Sequence, residues 1–218
     1  SLKKLGHKVG EALSHGVEIR ENIKVLAIDN HNIKLDNGDT ISADKIVVVC
    51  GGWTKKLLGD NFPVKPIKAK LVYFKPQKGK LELFSEGKFP EFFFNENLLY
   101  GFPMHGTYSV KVSFDKRGTE PEVDPYEHDR EIEPDFIVKV KKSLAEKVPD
   151  LSDADVVDTK TCMYTTTADD DFIIDKLDDN IVVGVFAGHG FKFSPLIGKV
   201  LADLVLDKKL DIDLKRFT

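Results

Sequence analysis

The first residues carry an apolar stripe. Leu2, Leu5, Val9 and Leu13 fall at helical spacing, so the sequence is expected to begin inside or just before a helix. Residues 17–20 and 23–28 read as β-like, and a hairpin is predicted with its turn at Asp36, Asn37 and Gly38. These small strands are expected to pair locally. The run Ile46, Val47, Val48, Val49 and Cys50 is continuously apolar, as in strands buried on both faces, and Gly51 and Gly52 stop it before a short helix. Pro63 and Pro66 mark a boundary, after which aromatic and β-forming residues continue to about Phe114 and predict an antiparallel sheet. Within it Tyr108, Val110, Val112 and Phe114 alternate with Ser109, Lys111, Ser113 and Asp115, giving one apolar and one polar face.

Pro134 suits a helix start, and Phe136, Ile137, Val140, Leu144 and Val148 keep helical spacing until Pro149. A strand over residues 155–164 follows, then a short one at 172–174, a turn at 178–180 and an apolar strand at 181–187 leading into Gly188, His189 and Gly190. A last helix is expected with Ser194 as its cap and Pro195 in its first turn. Leu196, Ile197, Val200, Leu201, Leu204 and Val205 form its buried stripe.

With 218 residues, 41% hydrophobic and 31% charged, the chain has the composition of a soluble globular protein. A net charge of −4 supplies no general attraction for phosphates, so nucleic acid is not an expected partner, although lysines cluster over residues 65–80. The two cysteines, Cys50 and Cys162, match no zinc spacing and suggest neither a metal site nor a disulfide framework. A reduced, cytoplasmic setting fits. No apolar run reaches the length of a membrane span, and no signal peptide opens the chain.

Chemistry concentrates where Gly188-His189-Gly190-Phe191-Lys192-Phe193-Ser194-Pro195 joins an apolar strand to a helix start. Unpaired N–H groups there favour negative charge, and glycine permits close approach. Taken alone, this is equally a tight turn with a surface lysine. Together with Cys162-Met163-Tyr164-Thr165 and Phe172-Ile173-Ile174-Asp175, however, it resembles the monomeric sarcosine oxidase and N-methyltryptophan oxidase family of the D-amino-acid oxidase-like superfamily. Tyr100-Gly101-Phe102-Pro103 with Lys111, and Val47-Val48-Val49-Cys50-Gly51-Gly52-Trp53, extend the resemblance over nearly the whole chain.

The resemblance implies an α/β protein: part of a Rossmann-like FAD domain plus an antiparallel substrate domain. Residues 1–62 and 169–218 would belong to the first, and residues 63–168 to the second. It implies FAD attached through a thioether at Cys162, with Met163, Gly51, Trp53, Gly188, His189, Gly190, Phe191 and Lys192 lining the cofactor. Cys50 is read as a buried strand cysteine. Lys192 would help bind a substrate carboxylate, Lys111 would activate oxygen, and Tyr100 would line the substrate pocket. Each also has a bland reading, as solvated lysines and a packed tyrosine.

The sequence departs from the family pattern at two points. Asp115 stands where sarcosine-oxidising members carry histidine, and a carboxylate there would repel an anionic substrate unless protonated or paired. No Gly-x-Gly-x-x-Gly occurs in the chain. The expected reaction is oxidation of a small secondary or primary amino acid by O2, giving peroxide. Alternatives are a related amino-acid dehydrogenase, a glycine-type oxidase, or a non-catalytic binding or assembly module. The 218-residue chain is read as lacking an N-terminal segment. It is therefore expected to be inactive, to hold FAD poorly, and to self-associate through the apolar strands at 47–50 and 181–187.

Overall fold

The computed structural model describes every residue except 1, 61, 117 and 128, and gives only the backbone for residues 2–5. Helix α1 (Leu2–Ser14) opens the chain. The stripe positions Leu2 and Leu5 lie outside the described side chains, while Val9 and Leu13 are exposed. Residues 17–20 form no strand. Among the described residues no strand pairs with them; Val17 N–H closes back on the Ala12 carbonyl of α1, and Val17 and Ile19 stay exposed.

Strands β1 (Val25–Asp29), β2 (Asn32–Leu35) and β3 (Thr40–Ser42) pair antiparallel in that order, as local pairing predicts. The first turn is tightened by Asn30 at φ +52°, a conformation asparagine tolerates better than most residues. The second contains Gly38 at φ +91°.

Strand β4 (Ile46–Val48) belongs to a different sheet. Near the chain's other end, β10 (Ile173–Asp178) and β11 (Ile181–Val185) form an antiparallel pair, and β11 runs parallel to β4. The order is β10-β11-β4, so β11 is central. Its Val182 packs with Ile197, Val200, Leu201 and Val205 of helix α4 (Ser194–Val205), while Ile181, Val183 and Val185 pack with Ile46 and Val48 over the small meander. This corrects two expectations. Residues 181–185 are fully covered and offer no apolar surface. The run at 46–50 is buried on one face only, since Val47 and Val49 are 41% and 53% exposed.

The third sheet has the order β6-β7-β8-β5-β9, formed by β5 (Lys65–Lys75), β6 (Phe92–Phe94), β7 (Leu99–Phe102), β8 (Val110–Phe114) and β9 (Asp155–Thr166). Helix α3 (Pro134–Lys147) covers one side, where Val140 and Leu144 meet Val72, Phe74, Leu99, Val110 and Val112. Tyr108, expected on the apolar face of β8, lies outside the strand and is exposed.

Pro66 is tolerated inside β5 because only β9 flanks the strand there, apart from a single bridge from Ile67 to Glu122. The β5–β9 ladder runs the full length of β5, from Lys65↔Thr166 to Lys75↔Asp155. The β5–β8 ladder covers only residues 72–74. Upstream of Val72 the two strands splay, and the gap becomes a cavity.

The fold is thus mixed α/β with antiparallel sheets. Among the described residues no helix is long and apolar enough to cross a membrane.

Candidate active site

Two turns leave the carboxyl ends of the adjacent parallel strands β4 and β11, the end of an open α/β sheet where ligands bind. The turn after β4 is a 3-10 turn over Gly51–Trp53 followed by α2 (Thr54–Leu58). The turn after β11 holds Ala187 at φ +43° and Gly188 at φ +74°, then a 3-10 turn over Gly190–Phe193 that runs into α4. Ser194 is therefore already helical and makes no side-chain cap; Phe193 occupies the cap position. Leu196, expected in the buried stripe, faces outward.

Both turns press on one stretch of β9. A Cβ on Gly52 would lie 2.7 Å from Met163 Sδ, and one on Gly188 would lie 2.9 Å from the Tyr164 ring. Met163 and Tyr164, on opposite faces of the strand, are each seated on a glycine.

The splay between β5 and β8 opens a cavity of about 660 Å³, whose wall includes Tyr100, Lys111, Asp115, Gly188, His189 and Lys192. Six residues singled out in the sequence thus share one space, although they come from β7, β8, the segment after β8, and the turn after β11. Tyr164 joins them, and Phe92, Phe93, Phe102, Phe114 and Phe136 supply apolar wall. Lys68 and Lys70, on the splayed half of β5, also line the cavity; both belong to the lysine cluster at 65–80, to which the sequence assigned no role. Lys70 Nζ lies 3.6 Å from Glu120 and 3.2 Å from Glu133, and Lys68 Nζ lies 3.4 Å from Glu133. These pairs satisfy two largely buried cations.

The remaining residues lie elsewhere. Cys162, exposed on β9 opposite Ala69, and Met163 are outside the wall of this cavity, as are Gly51, Gly190 and Phe191. Trp53 stacks edge-on to Tyr126 at 5.8 Å and lines a second cavity of about 550 Å³ with Cys50. Cys50 is only partly buried and sits just past β4, so the strand-core assignment needs correcting; burial still raises its thiol pKa. Both cysteines are free, and among the described residues no cluster of metal-binding side chains occurs.

Lys111 Nζ sits 4.3 Å from the centre of the Phe102 ring, and burial lowers its pKa against the opposing pull of Cys162 and Glu91. Burial, first, raises the pKa of Tyr100; Tyr164 and the charge of Asp115 add to the rise, and a hydrogen bond with Ser113 opposes it. Tyr100 is therefore a neutral phenol at ordinary pH. In the turn, His189 Nδ1 is buried without a hydrogen-bond partner among the described residues. A buried ring nitrogen left so is costly and suits a site completed by a polar ligand.

Residues 9–204 match the family described as FAD dependent oxidoreductase. The chain belongs to that family. Within it the chain is sarcosine oxidase-like. It is 30% identical to the probable sarcosine oxidase of Arabidopsis thaliana, over 95% of this chain and 54% of that protein. It is also 30% identical to the monomeric sarcosine oxidase of Bacillus sp. (strain B-0618), over 87% of this chain and 50% of that one. Among solved structures, the amino acid oxidase NikD superposes with a TM-score of 0.76 at 22% identity, over 95% of this chain and 56% of NikD. Iminodiacetate oxidase from Chelativorans sp. BNC1 gives 0.74 at 20% identity, over 95% and 55%. At these identities the two structures establish the shared fold. The chain spans about half the length of the curated relatives it matches.

Proposed function

We propose that the protein carrying this chain oxidises the C–N bond of a small secondary or primary amino acid, of the N-methyl type, with O2 as acceptor. The reading rests on the single cavity that gathers Lys111, Tyr100, Asp115 and Lys192 beside the Gly188–His189 turn with its unpartnered ring nitrogen. FAD, when bound, would supply the two-electron acceptor for the hydrogen on the carbon next to nitrogen and the route to oxygen that ends in hydrogen peroxide.

This chain's own residues bind and orient. The turn at Gly188, His189, Gly190 and Phe191, with Gly51, Trp53, Cys162 and Met163, would hold the isoalloxazine end, and Cys162, exposed and free, is available for a thioether. Lys192 attracts the substrate carboxylate. Lys111 keeps a fixed positive charge over the reacting centre, and the phenyl walls exclude water from it. Asp115, in the cavity wall where the family's sarcosine-oxidising members carry histidine, tunes which amine is preferred. Residues 63–168 would form the substrate domain, with the flanking segments belonging to the FAD domain. Because no Gly-x-Gly-x-x-Gly cradle for a pyrophosphate occurs in the 218 residues, this chain by itself is proposed to bind FAD weakly and to turn over no amine.

The test is purification of the whole protein. A flavin spectrum, with peroxide formed in proportion to amine consumed, is the expected result. A colourless protein, or turnover that needs an artificial electron acceptor, would overturn it. Acid precipitation should leave flavin on the wild type and release it from Cys162→Ser.

A further inference from the structure

The large cavity runs through the sheet. Residues directly opposite each other in a ladder share a face, and neighbours along a strand alternate between faces. Val72, Val112 and Leu99 mark the face under α3, and Lys68, Lys70 and Phe114 fall on that face by register. Tyr100, Lys111 and Tyr164 fall on the opposite one. Residues of both faces line the same cavity, which passes between β5 and the chain beyond β8 once Ser113 Oγ has bonded the Lys70 carbonyl.

The two sides of this passage differ in charge. Among the described wall residues, Lys111 and Lys192 are matched on the Tyr100 side by Glu91 and Asp115, whereas Lys68, Lys70 and Lys116 meet Glu120 alone on the α3 side. Lys116 Nζ lies there 5.2 Å from the centre of the Phe114 ring. Glu133 and Asp129 reach Lys68 and Lys70 from outside the wall. The side chains of Lys68 and Lys70 are only 12% and 14% exposed, so water screens them little. Lys70 holds its two carboxylates unequally. Glu133 lies 3.2 Å from Nζ, but Glu120 lies at 3.6 Å, beyond hydrogen-bond length. Phe114 and Phe136, edge to face at 5.8 Å, give the passage an apolar lining.

We propose that the substrate is an N-methyl amino acid whose side chain carries a second carboxylate, threaded between β5 and β8 so that this group pairs with Lys70 in place of Glu120. The inference rests on the amine-oxidising reading and narrows its substrate class. The α-carboxylate stays at Lys192, the methylenes pass Phe114 and Phe136, and Glu133 keeps the Lys70 ammonium in place. A neutral side chain of equal length makes no ion pair with Lys70 and leaves Glu120 where it is.

The experiment compares racemic N-methylglutamate with racemic N-methylglutamine, its neutral counterpart, on the full-length, flavin-loaded protein. The specificity constant should favour the diacid by at least about tenfold, the worth of one hydrogen bond between charged groups. Lys70→Gln should abolish that preference, and Lys70→Arg should keep most of it. Glu120→Gln, which removes the competing carboxylate, should enlarge it. A wild type that treats both substrates alike, or a preference that survives in Lys70→Gln, would overturn the proposal. If Lys70→Gln does not fold, a preference left unmoved by Glu120→Gln overturns it instead.

Glutarate, which carries no amine, gives a readout without turnover. In calorimetric titrations of the full-length protein it should bind at least about tenfold more tightly than its monoamide, and Lys70→Gln should erase the difference. Equal affinities in the wild type refute the subsite whatever the protein oxidises. A Lys70-dependent difference, in a protein that turns over no amine, leaves the subsite standing and refutes the assigned reaction.

Discussion

At the residue scale, Lys111 is the most informative side chain. It keeps its proton below a pKa that burial holds under the ordinary lysine value of 10.5. Oxygen-dependent reoxidation of the flavin-loaded protein should therefore be fast near neutral pH and decline as the pH rises, with a midpoint below 10.5. Lys111→Met should slow reoxidation at every pH and leave reduction by substrate nearly unchanged; stopped-flow traces in which both half-reactions slow equally would contradict this. Asp115→His should raise the specificity constant for sarcosine relative to bulkier amines, since it places in the cavity wall the imidazole carried there by the sarcosine-oxidising members this sequence resembles. An unchanged ratio would mean that Asp115 does not face the bound carboxylate. Alternation placed Lys111 and Asp115 on one face, and the family resemblance is what gave them roles in the sequence. Ser113 shares their face, but its hydrogen bond to the Lys70 carbonyl could not be read, because Lys70 lies far off in the chain and meets it only once β5 and β8 have paired.

At the element scale, helix α3 was readable because prolines bracket it and its apolar positions keep one period. Its partner Val112 comes from a strand whose alternation was equally clear, whereas Val72 lies in a stretch readable only as β-forming. Leu144→Ala should lower unfolding free energy by about 2–5 kcal/mol, measured by denaturant titration. In α4 the sequence stripe was too wide. Leu196→Ala, at an outward position, should change stability by no more than about 0.5 kcal/mol, whereas Leu201→Ala should cost as much as the α3 variant. Periodicity locates an apolar face, but the width of the partner surface decides how much of it is covered. The same limit explains residues 17–20, β-like in composition yet without a strand to join. Gly101→Ala tests packing inside β7: the added Cβ would lie 2.4 Å from the Phe92 ring and 3.0 Å from the Lys111 carbonyl. Because backbone cannot move aside as a side-chain tip can, a loss of about 1–3 kcal/mol is expected, and a fully stable variant would contradict it.

At the scale of the whole molecule, the sheet of β4, β10 and β11 is uneven. Its central strand is covered on both faces, while β4 is an edge strand with Val47 and Val49 exposed beside it. At high concentration the 218-residue chain should associate through this edge, and Val49→Lys should weaken the association, as read by sedimentation velocity. Sedimentation as a monomer at all concentrations would show that the edge is inert. The run at 46–50 was misread as doubly buried because composition reports how apolar a strand is and says nothing about how many neighbours reach it. The pairing of Ile46–Val48 with residues 181–183 also governs how the molecule is made. On the ribosome the meander β1–β3 can close as soon as it emerges, but β4 must wait until well over a hundred further residues have been synthesised before β11 arrives. Through that interval its valines are bare, and chain elongation becomes the step at which a chaperone or a slowed codon could decide the yield of folded protein.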